Sequence, residues 1–268
     1  MKIYDCITFF DENLQANLRF NILNNHVEKF IVCESKFDHK GRYKGVTFNI
    51  NNYIEFKNKI IHLVIDKQFP DISNPWKTQA FQREFIFNGL KEAKPDDCIM
   101  FSDPDEIPRP EILANLKLNK KYGIFLQQMF CYKLNIYNPH ESPWEGSRIC
   151  FKKNLKSIDF LRQKILKKNI RYPFWRIDKE KNIQLFDNGG WHFNYLSEPD
   201  KISKKLKTFA HTQYDKDEFT NIEVIKKNIY EKKDLFKRGH QYHKINLDDT
   251  FPDYILKNKN KFLKWVEQ

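Results

Sequence analysis

The stretch IMFSDPDEIPRP, residues 99–110, sets three carboxylates, Asp103, Asp105 and Glu106, directly behind an apolar run, with Pro104 and Pro108 among them. A short apolar run closed by Asp and Pro reads as a buried strand ending in a bend. Acid gathered there contrasts with a chain whose formal net charge is +12. In extended backbone, residues two apart point the same way. Pro104 fixes its own φ and drives Asp103 towards extended geometry. Two carboxylates brought together repel unless a cation lies between them. Hard oxygen donors suit Mg²⁺ or Mn²⁺, completed by water and phosphate oxygens. Spacing alone leaves a plain acidic turn as an equal alternative.

Working outward, the flanking sequence alternates between strand and helix patterns. Residues 2–10, 28–34, 60–66 and 97–103 read as short buried strands, the third rich in β-branched residues. Residues 12–24 carry Leu14, Leu18 and Ile22 at helical spacing. A helix is predicted from about Pro75 to Ala93, capped by Ser73 or Asn74, with Phe81, Phe85, Ile86, Leu90 and Ala93 inward and Gln79, Gln82 and Arg83 on the surface. Residues 35–59 read as a long loop, and Pro110 opens a short helix. This alternation predicts an α/β fold with a mostly parallel sheet covered by helices. Ligands bind beyond the carboxyl ends of strands in such sheets. The acids fall there: Asp11 and Glu12, Glu34, Asp66, then Asp103 and Asp105. Acids that start helices or close turns account equally for Glu12 and Asp66.

Past residue 120 the texture changes. Residues 122–137, 147–151 and 182–186 read as strands, and 157–168, 199–211 and 221–237 as amphipathic helices. In the second helix Ile202, Leu206, Phe209 and Ala210 form the apolar stripe. The last thirty or so residues read as a loosely packed, lysine- and asparagine-rich tail. No internal repeat or linker stands out, so a single domain is expected.

Composition bounds the function. Hydrophobic residues make up 40% and aromatics 15% of 268 residues, too rich for disorder. Nothing approaches the ~18–20 apolar residues of a membrane span. The N-terminus reads as a first strand rather than a signal peptide, which argues against export. The five cysteines, Cys6, Cys33, Cys98, Cys131 and Cys150, lie in apolar surroundings with no C-x-x-C pair. They read as buried thiols of a reducing compartment. The excess of Lys and Arg, 47 against 35 acids, suits an anionic partner: nucleic acid, an acidic membrane surface or a phosphorylated small molecule. A solvated lysine-rich surface accounts for much of it.

Several segments in order, FFDENLQANLRFNIL, FIVCES, WKTQAFQREFIFNGL, DDCIMFSDPDEIPRP, PWEGSRI, GGWHFNYL and KLKTFAH, together resemble glycosyltransferase family 17, the family of the β-1,4-mannosyl-glycoprotein N-acetylglucosaminyltransferases. The resemblance spans about residues 1–214 and rests on the composite, no single piece being specific. It implies a GT-A fold with a nucleotide-sugar-binding half (1–118), an acceptor half (119–214) and a lysine-rich C-terminal extension (215–268). It implies a UDP-sugar donor, most plainly UDP-N-acetylglucosamine, and metal-dependent transfer that inverts the anomeric centre to a β-linkage. The lack of an anchor in this sequence points to a cytoplasmic enzyme working on a lipid- or polymer-carried glycan. Basic residues Lys204, Lys205 and Lys207, with the tail, are candidates for peripheral membrane contact.

The resemblance also suggests roles. Asp105 ligates the metal, Asp103 ligates it or holds the ribose, and His192, which by itself reads as a hydrogen-bonded core histidine, becomes the third ligand. Glu106, in EIPRPEIL running into a helix, reads from the sequence itself as a structural cap of the turn. Glu12, Glu34, Arg83, Gly190 and His211 form the donor-binding set: Glu12 at the uridine or capping a helix, Arg83 on phosphate or in a surface salt bridge, Gly190 allowing close backbone approach, His211 on the diphosphate or at its helix terminus. Inverting displacement needs a base for the acceptor hydroxyl. Asp187, near His192 in sequence, and Glu145, beside Trp144 and Gly146, are the candidates. A sugar nucleotidyltransferase, a glycosidase with a carboxylate pair and a nucleic-acid-binding module are the rivals. The last leaves the acidic bend unexplained and lacks a recognisable RNA-binding pattern.

Overall fold

The structure, a computed structural model, describes residues 1–208 and 212–268. The strands are β1 (Ile3–Phe9), β2 (Lys29–Ser35), β3 (Ile60–Ile65), β4 (Cys98–Ser102), β5 (Glu106–Pro108), β6 (Tyr122–Cys131), β7 (Ile136–Tyr137), β8 (Trp144–Phe151), β9 (Ile183–Phe186), β10 (Gly190–Asn194) and β11 (His243–Lys244). The helices are α1 (Asn13–Leu23), α2 (Pro75–Phe85), α3 (Pro110–Ala114), α4 (Ile158–Gln163), α5 (Pro199–Thr208), α6 (Asp217–Thr220), α7 (Ile222–Glu231) and α8 (Asp253–Lys257). The sheet runs β3-β2-β1-β4-β8-β6 and continues through β7 to β11. The first four strands are mutually parallel, and β8 is antiparallel to both neighbours. The α/β fold with a large central sheet expected from sequence is therefore present, parallel over β1–β4 and mixed beyond, where antiparallel pairs enter at β8, β7, β5 and β11. Its long strands β1, β2 and β4 are buried along nearly their whole length, as strands covered on both faces must be.

Two features of α1 and β1 could not be read from periodicity. Arg19 is fully buried, and its guanidinium donates to both oxygens of Asp5, at 2.6 and 2.5 Å. It also donates to the Glu106 carbonyl and the Ser102 hydroxyl. A buried arginine is tolerable only with such full pairing, and this one lashes α1 and β1 to the acidic bend.

The predicted helix over 75–93 is α only to Phe85, then a 3₁₀ turn at Ile86–Gly89. Its facing is partly reversed from expectation. Thr78, Gln79, Gln82 and Arg83 are buried while Phe81 is exposed. The polar side turns inward because it walls a cleft, whereas Ile86, Leu90 and Ala93 pack in the core as expected. The loop at 35–59 carries a 3₁₀ turn at Ile50–Phe56. All five cysteines are buried and free. Among the described residues no helix is long and apolar enough to cross a membrane.

The C-terminal segment is not a loose tail. Phe251, Ile255 and Phe262 are buried in the main core, with the Phe251 ring 5.1 Å from that of Phe130. The Leu134 N–H donates to the Trp265 carbonyl and the Glu267 N–H to Asn135. The aromatic residues spaced among the lysines, not the lysines, decide its fate. Phe262→Ala is expected to cost about 3–5 kcal/mol in urea unfolding; a loose tail would give a change within about 0.5 kcal/mol.

Candidate functional site

A cleft of about 780 Å³ opens at the carboxyl ends of β1 and β4. Its lining includes Glu12, Gln82, Arg83, Asp103, Asp105, Glu145, Arg162, His192 and Lys205. The acidic bend forms its floor. The Glu106 N–H donates to the Asp103 carbonyl at 3.0 Å, so residues 103–106 make a tight turn with Pro104 at its second position. The expected extended geometry is absent, because Pro104 with its fixed φ suits the turn as well as it suits a strand. The two aspartates consequently engage different partners.

Asp103 accepts from Arg162 Nη2 at 2.5 Å. Asp105 presents Oδ1 to His192 Nε2 at 3.5 Å and Oδ2 to Lys205 Nζ at 3.6 Å. Lys205 lies also 3.3 Å from Glu12. Burial opposes charge on both aspartates, yet both carboxyls are held below their usual range, Asp103 by Arg162 and Arg83, Asp105 by Lys205 and His192. Burial likewise opposes the charged His192 imidazole, but Asp105 outweighs it and raises its pKa.

Glu106 is wholly buried and does more than cap a turn. Its carboxylate accepts from Trp144 Nε1 at 2.7 Å, from Arg162 at 2.8 and 3.0 Å, and from the Asp103 N–H at 3.2 Å. β5 then pairs antiparallel with β10, setting His192 opposite Glu106, while the Phe193 N–H donates to the Asp105 carbonyl. Pairing of these two short strands brings a histidine from the second half of the chain to the bend. Gly190 has φ +130°, and a Cβ there would lie 2.2 Å from the Ile107 carbonyl. Its lack of a side chain lets β10 meet β5; it does not line the cleft.

The other expected residues divide. Glu12 lines the cleft, with one oxygen accepting the N–H groups of Phe10 and Asp11 and the other facing Lys205. Arg83 lines it too, held by Asp159 at 2.8 Å. Glu145 lines it, with Oε2 accepting the Lys167 N–H at 2.9 Å. Glu34 does not. It is fully buried under the loop at 35–59, accepting from Thr47, Phe48 and Lys44. Asp187 is exposed in the turn between β9 and β10 and does not line the cleft. Neither belongs to the cleft: Glu34 is sealed under the 35–59 loop, and the turn after β9 leaves Asp187 facing solvent. His211 lies outside the described residues. Sequence reading passed over Arg162, Arg148 and Arg19, since a single arginine in an amphipathic pattern looks like any surface cation. It placed Lys205 on a membrane-facing surface, whereas Lys205 points to Glu12 and Asp105.

The donor atoms at the bend decide how a divalent ion could be held. Among the described residues no group of three or more His, Cys, Asp or Glu is arranged to hold one. Asp103 is committed to Arg162, which removes it from the expected ligand set. Asp105 and His192 nevertheless offer a carboxylate oxygen and an imidazole nitrogen 3.5 Å apart, within the span of two ligands on one ion at ~2.1 Å each. His192 Nδ1 is buried without a hydrogen-bond partner, so the protein satisfies this ring only in part. Mg²⁺ and Mn²⁺ sites commonly use one or two protein groups with water and phosphate. Asp105 and His192 fit that minimal pattern.

Two predictions follow from the packing of these acids. Removing Arg162 alone (Arg162→Leu) strands a buried Glu106 carboxylate and is expected to cost about 3–5 kcal/mol, while adding Glu106→Gln recovers much of it, as a urea double-mutant cycle will read. At Glu34, burial raises the carboxyl pKa, but His62, the Thr47 and Phe48 N–H groups and Lys44 outweigh it and bring it to about 2 from 4.5. A depressed carboxyl stabilises above its unfolded pKa and loses that contribution as pH falls through the folded one. Glu34→Gln should therefore flatten the fall in stability between those two values, measured by urea midpoints across acid pH.

Comparison with known proteins supplies the family. The model of glycosyltransferase family 17 matches residues 1–245. The chain is similar to the β-1,4-mannosyl-glycoprotein 4-β-N-acetylglucosaminyltransferase of Rattus norvegicus, 30% identical over 127 residues, covering 44% of this chain and 23% of that protein. For the Homo sapiens enzyme of the same name the figures are 30%, 44% and 24%. The matches thus span about a quarter of these relatives' length. Among solved structures, a glycosyltransferase involved in glycosylation of the major capsid of PBCV-1 aligns at 12% identity over 70% of this chain and 82% of that one, TM-score 0.34. Glucosyl-3-phosphoglycerate synthase from Mycobacterium tuberculosis aligns at 12% over 95% and 91%, TM-score 0.38. Neither structural likeness carries weight for the chemistry. The family match covers most of the sequence and all the residues of the cleft, and the chain belongs to glycosyltransferase family 17.

Proposed function

We propose that the protein transfers a sugar, N-acetylglucosamine in the first instance, from a UDP-sugar to a hydroxyl of a glycan acceptor with inversion to a β-linkage. Family membership supports the reaction class, and the named activity of its relatives supports the sugar. The observation that carries the reading is the meeting of Asp105 and His192 on a cleft floor walled by Arg83, Arg162 and Lys205. Such a wall suits a diphosphate, and partial burial strengthens each charge on it.

In this reading Arg83 and Lys205 attract and orient the donor diphosphate. Asp105 and His192 hold a divalent ion which, when bound, supplies Lewis-acid stabilisation of the leaving group. Arg162 keeps the bend in place through Glu106 and Asp103. Glu145 takes the proton of the acceptor hydroxyl. The hydroxyl oxygen bonds to the anomeric carbon from the face opposite the diphosphate, the carbon–oxygen bond to the diphosphate breaks, and UDP leaves with that electron pair. Release of UDP rather than pyrophosphate separates this from a nucleotidyltransferase.

The test uses purified protein with Mn²⁺, UDP and UDP-N-acetylglucosamine. UDP with Mn²⁺ is expected to raise the thermal midpoint, and Asp105→Ala to abolish the Mn²⁺-dependent part. Slow donor hydrolysis should fall about a hundredfold or more in Asp105→Ala. Once an acceptor is found, Glu145→Gln should lower kcat by about a hundredfold or more with little change in UDP binding. No stabilisation by UDP with or without metal would overturn the reading.

A further inference from the structure

The segment joining α4 to β9 is firmly rooted and bare at its tip. At the root, Ile165 and Asn169 are buried, and Asn169 Nδ2 donates to the Lys164 carbonyl at 2.7 Å. At the tip, the Arg176 N–H donates to Pro173 and the Ile177 N–H to Trp175, at 3.1 and 2.9 Å, forming tight turns. These turns hold Phe174, Trp175 and Ile177 outward, 85%, 65% and 93% exposed. The two aromatic rings touch edge to face at 5.2 Å. Three large apolar residues exposed side by side mark an interaction site, since scattered single ones would need no account.

The chemistry around the tip identifies the partner. Residues 164–181 hold seven lysines and arginines against two acids. One acid, Asp178, is already neutralised by Arg176 at 2.8 Å and Lys179 at 3.3 Å. An apolar point containing a tryptophan, collared by cations, matches the boundary between acyl chains and anionic headgroups. Cations near such a surface are drawn to it additively, and salt weakens the attraction.

We propose that this loop is a membrane-docking element, inserting Phe174, Trp175 and Ile177 into the interface of an anionic bilayer. The docking surface thus differs from the lysines of α5, of which Lys205 faces the cleft. Leu166 and Lys168, at the root of the same loop, line the cleft. Insertion of the tip brings the cleft's edge towards the bilayer, where an acceptor carried on a lipid would reach Glu145; this consequence rests on the glycosyl-transfer reading, whereas docking itself does not.

The test is flotation of the full chain with phosphatidylcholine–phosphatidylglycerol vesicles and with phosphatidylcholine alone. The protein is expected to float with the mixed vesicles, less so at high salt, and far less with the neutral ones. The triple variant Phe174→Ser, Trp175→Ser, Ile177→Ser should partition at least about tenfold more weakly, equivalent to roughly 1.4 kcal/mol. Its circular dichroism and thermal midpoint should be unchanged, because the three side chains are exposed. Equal flotation of variant and parent, or no flotation of the parent, overturns the proposal; so does a self-association of the parent that the variant abolishes, which would assign the tip to a second copy. Hydrolysis of soluble UDP-N-acetylglucosamine, measured in parallel, should be the same in both proteins. Its absence from both, with the vesicle difference intact, would sink the transfer reading and leave docking standing.

Discussion

The architecture of the cleft depends on one buried carboxylate. Glu106 has no exposed surface, so its charge must be met inside the protein. Arg162 of α4, Trp144 of β8 and the Asp103 amide meet it at the side chain, and Arg19 of α1 and Ser147 of β8 at the backbone carbonyl. Four separate parts of the fold therefore converge on one residue. A partial set would leave a charge unpaired at a cost of several kcal/mol, so these elements have little freedom to drift. The turn that carries Asp103 and Asp105 inherits that rigidity.

The same accounting explains why a basic protein has acid at its centre. Each cleft carboxylate faces a cation: Asp103 has Arg162, Asp105 has Lys205, and Glu145 has Arg148 at 3.5 Å. Arg148 is buried enough that its pKa falls to about 10, which still leaves it charged at neutral pH. The floor is thus a set of balanced pairs with further cations beside it. An incoming diphosphate adds negative charge to a wall able to receive it, and a divalent ion at Asp105 and His192 would come into competition with Lys205 for the same carboxylate.

Much of the fold was legible because burial imposes period. The apolar runs at β1, β2 and β4 could be little else than buried strands, and the β-branched run at Ile60–Ile65 little else than a strand, half-buried at the sheet's edge. The acidic bend was legible for the opposite reason, being chemistry that a core does not need. What periodicity misled on was α2. Its inward polar face looked like a solvent face, because the pattern of Gln79, Gln82 and Arg83 is the same whether it meets bulk water or a cleft. The C-terminal segment misled likewise, its lysines masking the few aromatics that anchor it.

By itself the sequence determined the α/β class, the position of the acidic turn at a strand's carboxyl end, and the buried thiols. These follow from local pattern, and local pattern is written in consecutive residues. Only the tertiary structure decided which groups meet: that Asp103 turns to Arg162, that Asp105 faces His192 and Lys205, and that Glu34 and Asp187 stand apart from them. The reason is physical. Side chains that share a site come from residues up to nearly two hundred positions apart, as Glu12 and Lys205 do, and their pairing is set by strand register and by the demand that buried charge be matched, neither of which leaves a periodic trace in the chain.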